Sequence, residues 1–380
     1  MLGGAELSVL SLAEGLAKRG HNTIILEFAA TRAKRKRILA SGIRVQSIPR
    51  AFYPHPGRPR SWLRFSRSVW QFLKVIRQFK PDIVSVQFPT WQSPPVVAAH
   101  ALPHKWRLIV TARGSDIGAM PFSQPRLRRW QRLLFQHADA VTTVSESLRR
   151  DVLALHPFLR SEVQVIHNAV EPGWFAEARA DARRAIVGRY VLFVGAFLAV
   201  KGVDILLHAW RRIQDEAPGL SLVLVGEGLD FDSLVGLSER LGVNGSVRFA
   251  GTKLQQDLLS LYRDAELVVI PSRNEGLPRV ALEAGACASI CVGSNLGGLP
   301  EVIEDQVTGF LVEPESPNRL AEAMLRALNL PVEVKLRMST AAKARIRERF
   351  THERMIANYE ELFQSLLDGP SGDKSPSIRL

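Results

Sequence analysis

The segment Pro271-Ser-Arg-Asn-Glu-Gly-Leu-Pro-Arg-Val-Ala-Leu-Glu283 carries two carboxylates, Glu275 and Glu283, eight residues apart. It follows Leu267–Ile270, a short apolar run that reads as a buried strand. The segment therefore sits at the C-terminal end of a strand, where open α/β sheets bind ligands. Gly276 permits close backbone approach or a positive φ. Pro278 suits the first turn of a helix through Arg279–Ala286. The start of that helix offers free N–H groups and a positive dipole end to an anion. The two carboxylates lie about two helical turns apart. Acids are also common on solvated helix faces, and that reading stays open on spacing alone. Cys287 and Cys291, the two cysteines, read as buried free thiols. No Cys/His group has zinc-site spacing.

These residues need a scaffold, and the hydrophobic pattern supplies one. Short runs rich in Val, Ile and Leu recur at Asn22–Phe28, Ile83–Gln87, Arg107–Thr111, Ala140–Val144, Val163–Ile166, Tyr190–Val194, Leu220–Val225, Val247–Phe249, Leu267–Ile270 and Ser289–Val292. Continuous rather than alternating runs of this kind are strands buried on both faces of a parallel sheet. Helical patterns lie between them, at Leu7–Arg19, Trp62–Phe79, Arg126–Gln136, Asp204–Asp215 and Asp232–Leu241. The alternation predicts doubly wound α/β architecture, twice over. The expected division is 1–172, 173–350, a C-terminal helix over 351–368 that packs back on the N-terminal domain, and a loose tail over 369–380.

The 380 residues are 46% hydrophobic and 23% charged, which excludes disorder as the main state. No apolar run approaches a membrane span, and two cysteines exclude a disulfide scaffold. The chain reads as a soluble protein of a reducing compartment. Its net charge of +13 is unevenly placed: residues 1–180 hold 27 bases against 11 acids, and residues 181–380 hold 23 against 26. Between Glu27 and Asp82 there are 14 bases and no acid, including Arg32, Lys34, Arg35, Lys36 and Arg37, and the series Arg58, Arg60, Arg64 and Arg67. Such a field attracts a polyanion or an anionic lipid surface. In Trp62–Phe79, the residues Trp62, Phe65, Val69, Phe72, Leu73, Ile76 and Phe79 share one face, with Arg64, Arg67 and Lys74 opposite. A helix packed on a sheet looks like this, and so does a membrane-surface helix. The basic half has no helix-turn-helix, zinc-finger or RNP signature, which argues against a nucleic acid partner.

Read in order, several segments form one pattern: Gly3-Gly4-Ala5-Glu6, Val144-Ser-Glu-Ser-Leu, Ile166-His-Asn168-Ala-Val, Val194-Gly195-Ala-Phe-Leu-Ala-Val-Lys201-Gly202, Leu224-Val-Gly226-Glu-Gly228, the Glu275–Glu283 phrase, and Gly297-Gly-Leu-Pro-Glu301 with Gly309-Phe-Leu-Val312. The series resembles family 4 glycosyltransferases, retaining enzymes of the GT-B fold, over nearly the whole chain. The resemblance implies two Rossmann-like domains facing across a cleft, with the nucleotide-sugar mainly on the second and the acceptor mainly on the first. It implies that Lys201 neutralises the donor diphosphate, assisted by the backbone N–H groups of Gly276 and Leu277. Glu283 would hold the ribose hydroxyls, Glu275 would contact the transferred sugar, and Gly195 and Gly226 would line the donor loops. Gly3 and Gly4 would approach from the opposite wall. No metal ion or other cofactor is expected.

Three departures stand out. The family usually has an arginine five residues before the loop lysine, and here Ala196 takes its place; Arg273 is the candidate substitute. Many members carry a histidine where this chain has Thr111-Ala-Arg113-Gly-Ser-Asp116. Arg113 cannot act as a base near neutral pH but could bind an anionic acceptor or the donor phosphate, and Asp116 is the alternative proton acceptor. An Arg–Asp pair that only shapes the loop is equally open. Finally, the family opens with a strand before the glycine-rich loop, and here only Met1-Leu2 precede Gly3. The expectation is a start that lies upstream, or a truncated product, which mass spectrometry of the native protein would show.

The leading expectation is sugar transfer from a nucleotide-diphosphate donor to a saccharide or lipid-linked acceptor with retention of configuration. The setting would be cell-surface polysaccharide or glycolipid synthesis, in the cytoplasm or peripheral at the inner face of the cytoplasmic membrane. The alternative is a catalytically impaired relative acting as a binding or assembly subunit, for which Ala196 is the motive.

Overall fold

The computed structural model describes residues 4–28, 42–48, 59–90, 93–117, 125–159, 163–176, 186 and 188–368. Gly3, the basic run Arg32–Arg37, Arg58 and the tail 369–380 lie outside the described residues. The chain divides into two compact units, Met1–His167 with Glu353–Leu380, and Asn168–His352.

The N-terminal unit begins with helix α1 (Gly4–Lys18), followed by strands β1 (Ile24–Phe28) and β2 (Arg44–Ile48). Then come α2 (Pro59–Phe79), β3 (Ile83–Gln87), α3 (Ser93–His100), β4 (Arg107–Ala112), α4 (Pro125–His137), β5 (Ala140–Thr143), α5 (Glu146–Leu155) and β6 (Val163–Val165). All pairings are parallel. Among the described residues the strands form two separate sheets, β1-β2 and β3-β4-β5-β6. Leu108, Ile109 and Val110 of β4 are buried completely, as a continuous apolar run in a two-faced parallel sheet requires. Ser145 caps α5: its hydroxyl accepts the N–H of Leu148, one of the free donors at a helix start.

In α2 the buried line runs through Ser68, Phe72 and Val75. This corrects the sequence-derived stripe at its N-terminal end, because Trp62 is 49% exposed and Leu63 and Trp70 are exposed beside it. The helix spans 21 residues, and its buried residues begin at Ser68.

The C-terminal unit holds β7 (Arg189–Val194), α6 (Val203–Ile213), β8 (Leu220–Val225), α7 (Phe231–Arg240), β9 (Val247–Gly251), α8 (Gln255–Asp264) and β10 (Leu267–Ile270). It continues with α9 (Arg279–Ala286), β11 (Cys291–Ser294), α10 (Leu299–Val302), β12 (Gly309–Val312), α11 (Pro317–Leu328) and α12 (Val332–Arg349). Its six strands are ordered β12-β11-β10-β7-β8-β9, the doubly wound arrangement. The order reverses between β7 and β10, so the crevice at their C-terminal ends is the topological switch point. Helix α6 shows why this core forms: Val203, Leu206, Leu207, Trp210 and Ile213 recur at helical spacing and are all buried. Trp210 keeps its indole N–H satisfied by donating to Ser246 Oγ at 2.9 Å.

The boundary falls at His167/Asn168, earlier than the sequence indicates. Asn168 Nδ2 donates to Leu277 O at 3.1 Å, and Glu171 pairs with Arg279 at 3.1 Å. These bonds hold residues 168–171 to the C-terminal unit. The last helix, α13 (His352–Asp368), is grouped with the N-terminal unit. There Glu360 pairs with Arg19 at 2.7 Å and bonds His21 at 3.1 Å, while Phe363 packs edge-on against the His21 ring.

Candidate donor site

Strand β7 ends at Val194, and its loop turns through a short 3₁₀ segment, Ala199–Lys201. Gly202 closes that turn at φ 66° and starts α6. Strand β10 ends at Ile270 and feeds the Glu275 loop. Because β7 and β10 are neighbours, the two loops meet. Lys201 Nζ lies 2.6 Å from Glu275 Oε1, and Ser272 Oγ donates to the same oxygen at 2.8 Å. Two residues 74 apart in sequence thus form a charge pair at the switch point.

Glycines let the neighbouring loops approach. Gly226, after β8, has φ 147°, and a Cβ there would stand 1.8 Å from Gly195 O. Gly297, after β11, has φ 54°, and its Cβ would stand 2.0 Å from Glu275 O. The close approach foreseen at Gly276 is thus made from the other side, by Gly297 against Glu275 and by Gly298 against the carbonyl of Gly276.

Arg273 does not take the place of the arginine missing at Ala196. Its guanidinium is bidentate to Asp204 at 2.8 and 2.7 Å, and also donates to Ala199 O at 2.6 Å and Glu315 at 2.8 Å. Its backbone N–H donates to Val200 O. All of its nitrogens are spent on bracing the turn that carries Lys201. The Asp204 carboxyl is accordingly held below its ordinary range by the Arg273 hydrogen bonds.

Helix α9 begins at Arg279 with Pro278 as its N-cap, and Leu277 is buried ahead of it. Glu283 is 7% exposed. Its Oε1 accepts from Arg279 Nε at 3.2 Å and its Oε2 from Tyr262 OH at 3.1 Å. Burial pushes the Glu283 carboxyl up, against the opposing pull of Arg279 and the Tyr262 hydroxyl. The cysteines of β11 and the preceding turn are buried, and burial pushes both thiols up to about 12. They are therefore neutral near pH 7.

In the N-terminal unit Gly4 opens α1. Arg113 is buried, and its Nε and Nη2 donate to Gln87 Oε1 at 3.0 and 2.6 Å. Asp116 is completely buried. Its carboxylate accepts the backbone N–H groups of Arg113 and Gly114, at 3.1 and 2.6 Å. The geometry assigns Asp116 to shaping the loop, and this corrects its reading as a proton acceptor: a carboxylate engaged with backbone and sealed from solvent has no free face for a substrate hydroxyl. Burial raises its pKa to about 6, above the ordinary 3.8, although the backbone bonds and Arg113 pull the other way. The folded state therefore binds this proton more tightly than the unfolded state. Between about pH 4 and pH 6 the protein should lose stability as pH rises. Asp116→Asn keeps one acceptor oxygen and should flatten that slope; urea midpoints at pH 4, 5 and 6 check it, and an unchanged slope would exclude Asp116 as its source.

Sequence reasoning missed Tyr262, Arg279, Glu171, Ser272 and Asp204. Arg279 had a signal, since it stands four residues before Glu283 on a helix, a spacing at which side chains meet. Ser272 stands three residues before Glu275 in the same loop, whereas Tyr262, Glu171 and Asp204 meet partners 21, 108 and 69 residues away and had no local signal. Among the described residues no group of three His, Cys, Asp or Glu is placed to hold a metal, and no helix is long and apolar enough to cross a membrane.

Comparison with known proteins agrees with this architecture. The profile of Glycosyltransferase Family 4 matches residues 2–174, and that of Glycosyl transferases group 1 matches residues 177–346. A D-inositol 3-phosphate glycosyltransferase of Mycolicibacterium smegmatis is 29% identical over 280 residues, covering 71% of this chain and 62% of that protein. The chain thus matches a little under two thirds of that relative's length. An uncharacterized glycosyltransferase of Methanocaldococcus jannaschii is 29% identical over 343 residues, 87% of this chain and 86% of that one. The crystal structure of Anabaena HepE in complex with UDP-glucose superposes with a TM-score of 0.82 at 21% identity, covering 96% and 97% of the two chains. The fold is GT-B, two Rossmann-like domains with parallel sheets. The chain belongs to the family 4 glycosyltransferases.

Proposed function

We propose that this chain transfers a sugar from a nucleoside-diphosphate sugar to a saccharide or lipid-linked acceptor, with retention of configuration. The bond from the anomeric carbon to the diphosphate oxygen breaks, the acceptor's hydroxyl oxygen bonds to that carbon in its place, and the departing nucleoside diphosphate carries off the hydroxyl proton. The observation that carries the reading is the Lys201–Glu275 pair at the switch point, 2.6 Å apart. Lys201 and the N–H groups of Gly276 and Leu277 stabilise charge developing on the leaving diphosphate. Glu275 contacts the transferred sugar, and Glu283 holds the ribose. Lysine and a helix start do the neutralising, so the proposal calls for no metal ion. UDP-glucose in HepE supports a nucleotide-sugar donor. Isothermal titration with UDP-, GDP- and ADP-sugars tests this: micromolar binding of one, lost in Glu283→Ala, is expected. No binding by the folded protein would overturn it.

One observation favours a catalytically impaired binding or assembly subunit instead: Ala196 lacks a cation, and Arg273 is committed elsewhere. Turnover that disappears in Glu275→Ala would exclude that reading.

The acceptor side is proposed to work at an anionic membrane surface, at the inner face of the cytoplasmic membrane, in polysaccharide or glycolipid synthesis. Helices α2 and α4 contain no acid at all. Phe65 of α2 packs on Trp130 of α4 with ring centroids 6.1 Å apart. The adjoining surfaces expose Arg60, Arg64, Arg67, Lys74, Arg128, Arg129 and Arg132, along with Trp62, Leu63 and Trp70. Bases next to aromatic side chains match an anionic headgroup layer over acyl chains. Sedimentation with phosphatidylglycerol vesicles should exceed that with phosphatidylcholine, fall as salt rises and drop in a Trp62→Ser/Trp70→Ser variant. Equal sedimentation with both lipids would remove this part.

A further inference from the structure

Arg279 is an unusual residue to find beside a ligand-binding carboxylate. Its side chain is 9% exposed, and it joins two acids. Nε donates to Glu283 Oε1 at 3.2 Å, and Nη2 donates to Glu171 Oε2 at 3.1 Å. Nη1 is buried without a hydrogen-bond partner. The guanidinium thus bridges the two carboxylates through Nε and Nη2. Glu171 is in turn fixed by Trp174 Nε1 at 3.2 Å, and the Trp174 ring packs edge-on against Tyr262, with centroids 5.7 Å apart. Tyr262 OH donates to Glu283 Oε2, which closes the circuit. A carboxylate has about four acceptor sites. Arg279 and Tyr262 occupy one on each oxygen of Glu283, which leaves one on each: the complement of two neighbouring hydroxyls.

We propose that Arg279 is the positioning residue for Glu283, with Glu171 as its counterweight. The pair sets the pH range over which Glu283 accepts the ribose hydroxyls of a nucleoside diphosphate. The inference rests on the reading of Glu283 as the ribose-binding carboxylate.

The groups around Glu283 define the sign of each change. Arg279 on α9 and the Tyr262 hydroxyl on α8 favour its charged form, while burial and the Glu171 charge oppose it. Tyr262 is itself pushed far above the ordinary phenol range by burial and by Glu283, so it stays a donor. Cys287 and Cys291 also adjoin this group, Arg263 and Lys343 act on Cys287, and both thiols are neutral near pH 7. Removing the Arg279 charge therefore makes Glu283 hold its proton to higher pH. Removing the Glu171 charge, with its acceptor oxygen kept, makes Glu283 release the proton at lower pH. A purely structural role for either residue predicts no such opposition.

The experiment titrates UDP, GDP and ADP, and their 2′-deoxy forms, into the full chain from pH 4.5 to 8. Wild type should bind one nucleotide and prefer its ribose form. Glu283→Ala should lose that preference. In Arg279→Gln the acid limb of binding should move up by about one pH unit or more, the size of an adjacent arginine's effect on a carboxyl. In Glu171→Gln it should move down, and Arg279→Lys should restore most of the wild-type profile. Both glutamine variants weakening binding equally at every pH would overturn the inference and leave the Glu283 reading intact. A Glu283→Ala protein that still prefers ribose, or a wild type that binds none of the nucleotides, would overturn both. Circular dichroism reports folding; should Arg279→Gln not fold, Glu171→Gln and Arg279→Lys carry the test, and a downward shift in the first with none in the second is the supporting result.

Discussion

Lys201→Ala is expected to lower kcat/KM for the nucleotide-sugar about 10²–10³-fold, the usual cost of deleting one preorganised stabiliser of developing negative charge. Two losses combine. In the proposed mechanism the leaving diphosphate loses its cation, and Glu275, whose side chain is 10% exposed, loses its counter-ion and keeps the Ser272 hydroxyl. A carboxylate left uncompensated in a partly buried site is more costly than the absence of the pair. The double variant Lys201→Ala/Glu275→Gln should therefore fall well short of the product of the two single effects. Steady-state release of nucleoside diphosphate measures all three proteins. A loss below about threefold in Lys201→Ala would remove the charge-stabilising role from this lysine, since each factor of ten corresponds to about 1.4 kcal/mol.

Gly226→Ala should be the most damaging single methyl group in the C-terminal unit. The added Cβ would meet Gly195 O at 1.8 Å, and both sides of that contact are backbone, so no side chain can rotate away. The strand ends are also fixed by hydrogen bonds: Gly195 N–H donates to Val225 O and Gly226 N–H to Gly251 O, both at 3.0 Å. The φ of 147° adds strain. A destabilisation of about 4 kcal/mol or more is expected, in the range where core and backbone conflicts become exceptional. That is a large part of the roughly 5–15 kcal/mol typical of a whole domain. Gly219→Ala is the control: its φ is 75°, but nothing lies within 4 Å of the added Cβ, so only conformational strain of about 1–2 kcal/mol remains. Urea midpoints compare the two, and equal midpoints would mean that the close approach of the loops carries no cost.

Both predictions depend on loops at strand ends, and the positions of those loops are legible in the residue pattern alone. The run Leu267–Ile270 is the strand β10, and the helix after Pro278 starts at Arg279. Local features suffice there: a continuous β-branched run, a proline at a helix start, an apolar stripe at spacings of three and four. Where local features are weak the pattern misleads. Strand β2, Arg-Val-Gln-Ser-Ile, is half exposed and polar on its outer face. Helix α3, Ser-Pro-Pro-Val-Val-Ala-Ala-His, is buried on nearly all sides and shows no stripe. Strand β11 begins at Cys291, two residues later than its composition indicates, because Ala288 at φ 61° and the bond from Ser289 Oγ to Tyr262 O extend the turn.

The sequence by itself determined the class of fold, the strand-end position of Glu275 and Lys201, the place of Glu283 on the helix that follows, and the uneven charge. Each of these is a matter of residue type and short-range period. The tertiary structure alone decided which charges meet. Arg273 is spent on Asp204, 69 residues away, and Arg279 on Glu171, 108 residues away. Asp116 is sealed from solvent, whereas Trp62 and Trp70 are left uncovered. Partners so far apart in sequence are brought together by the order of strands in the sheet. That order follows from crossovers whose direction no local spacing records.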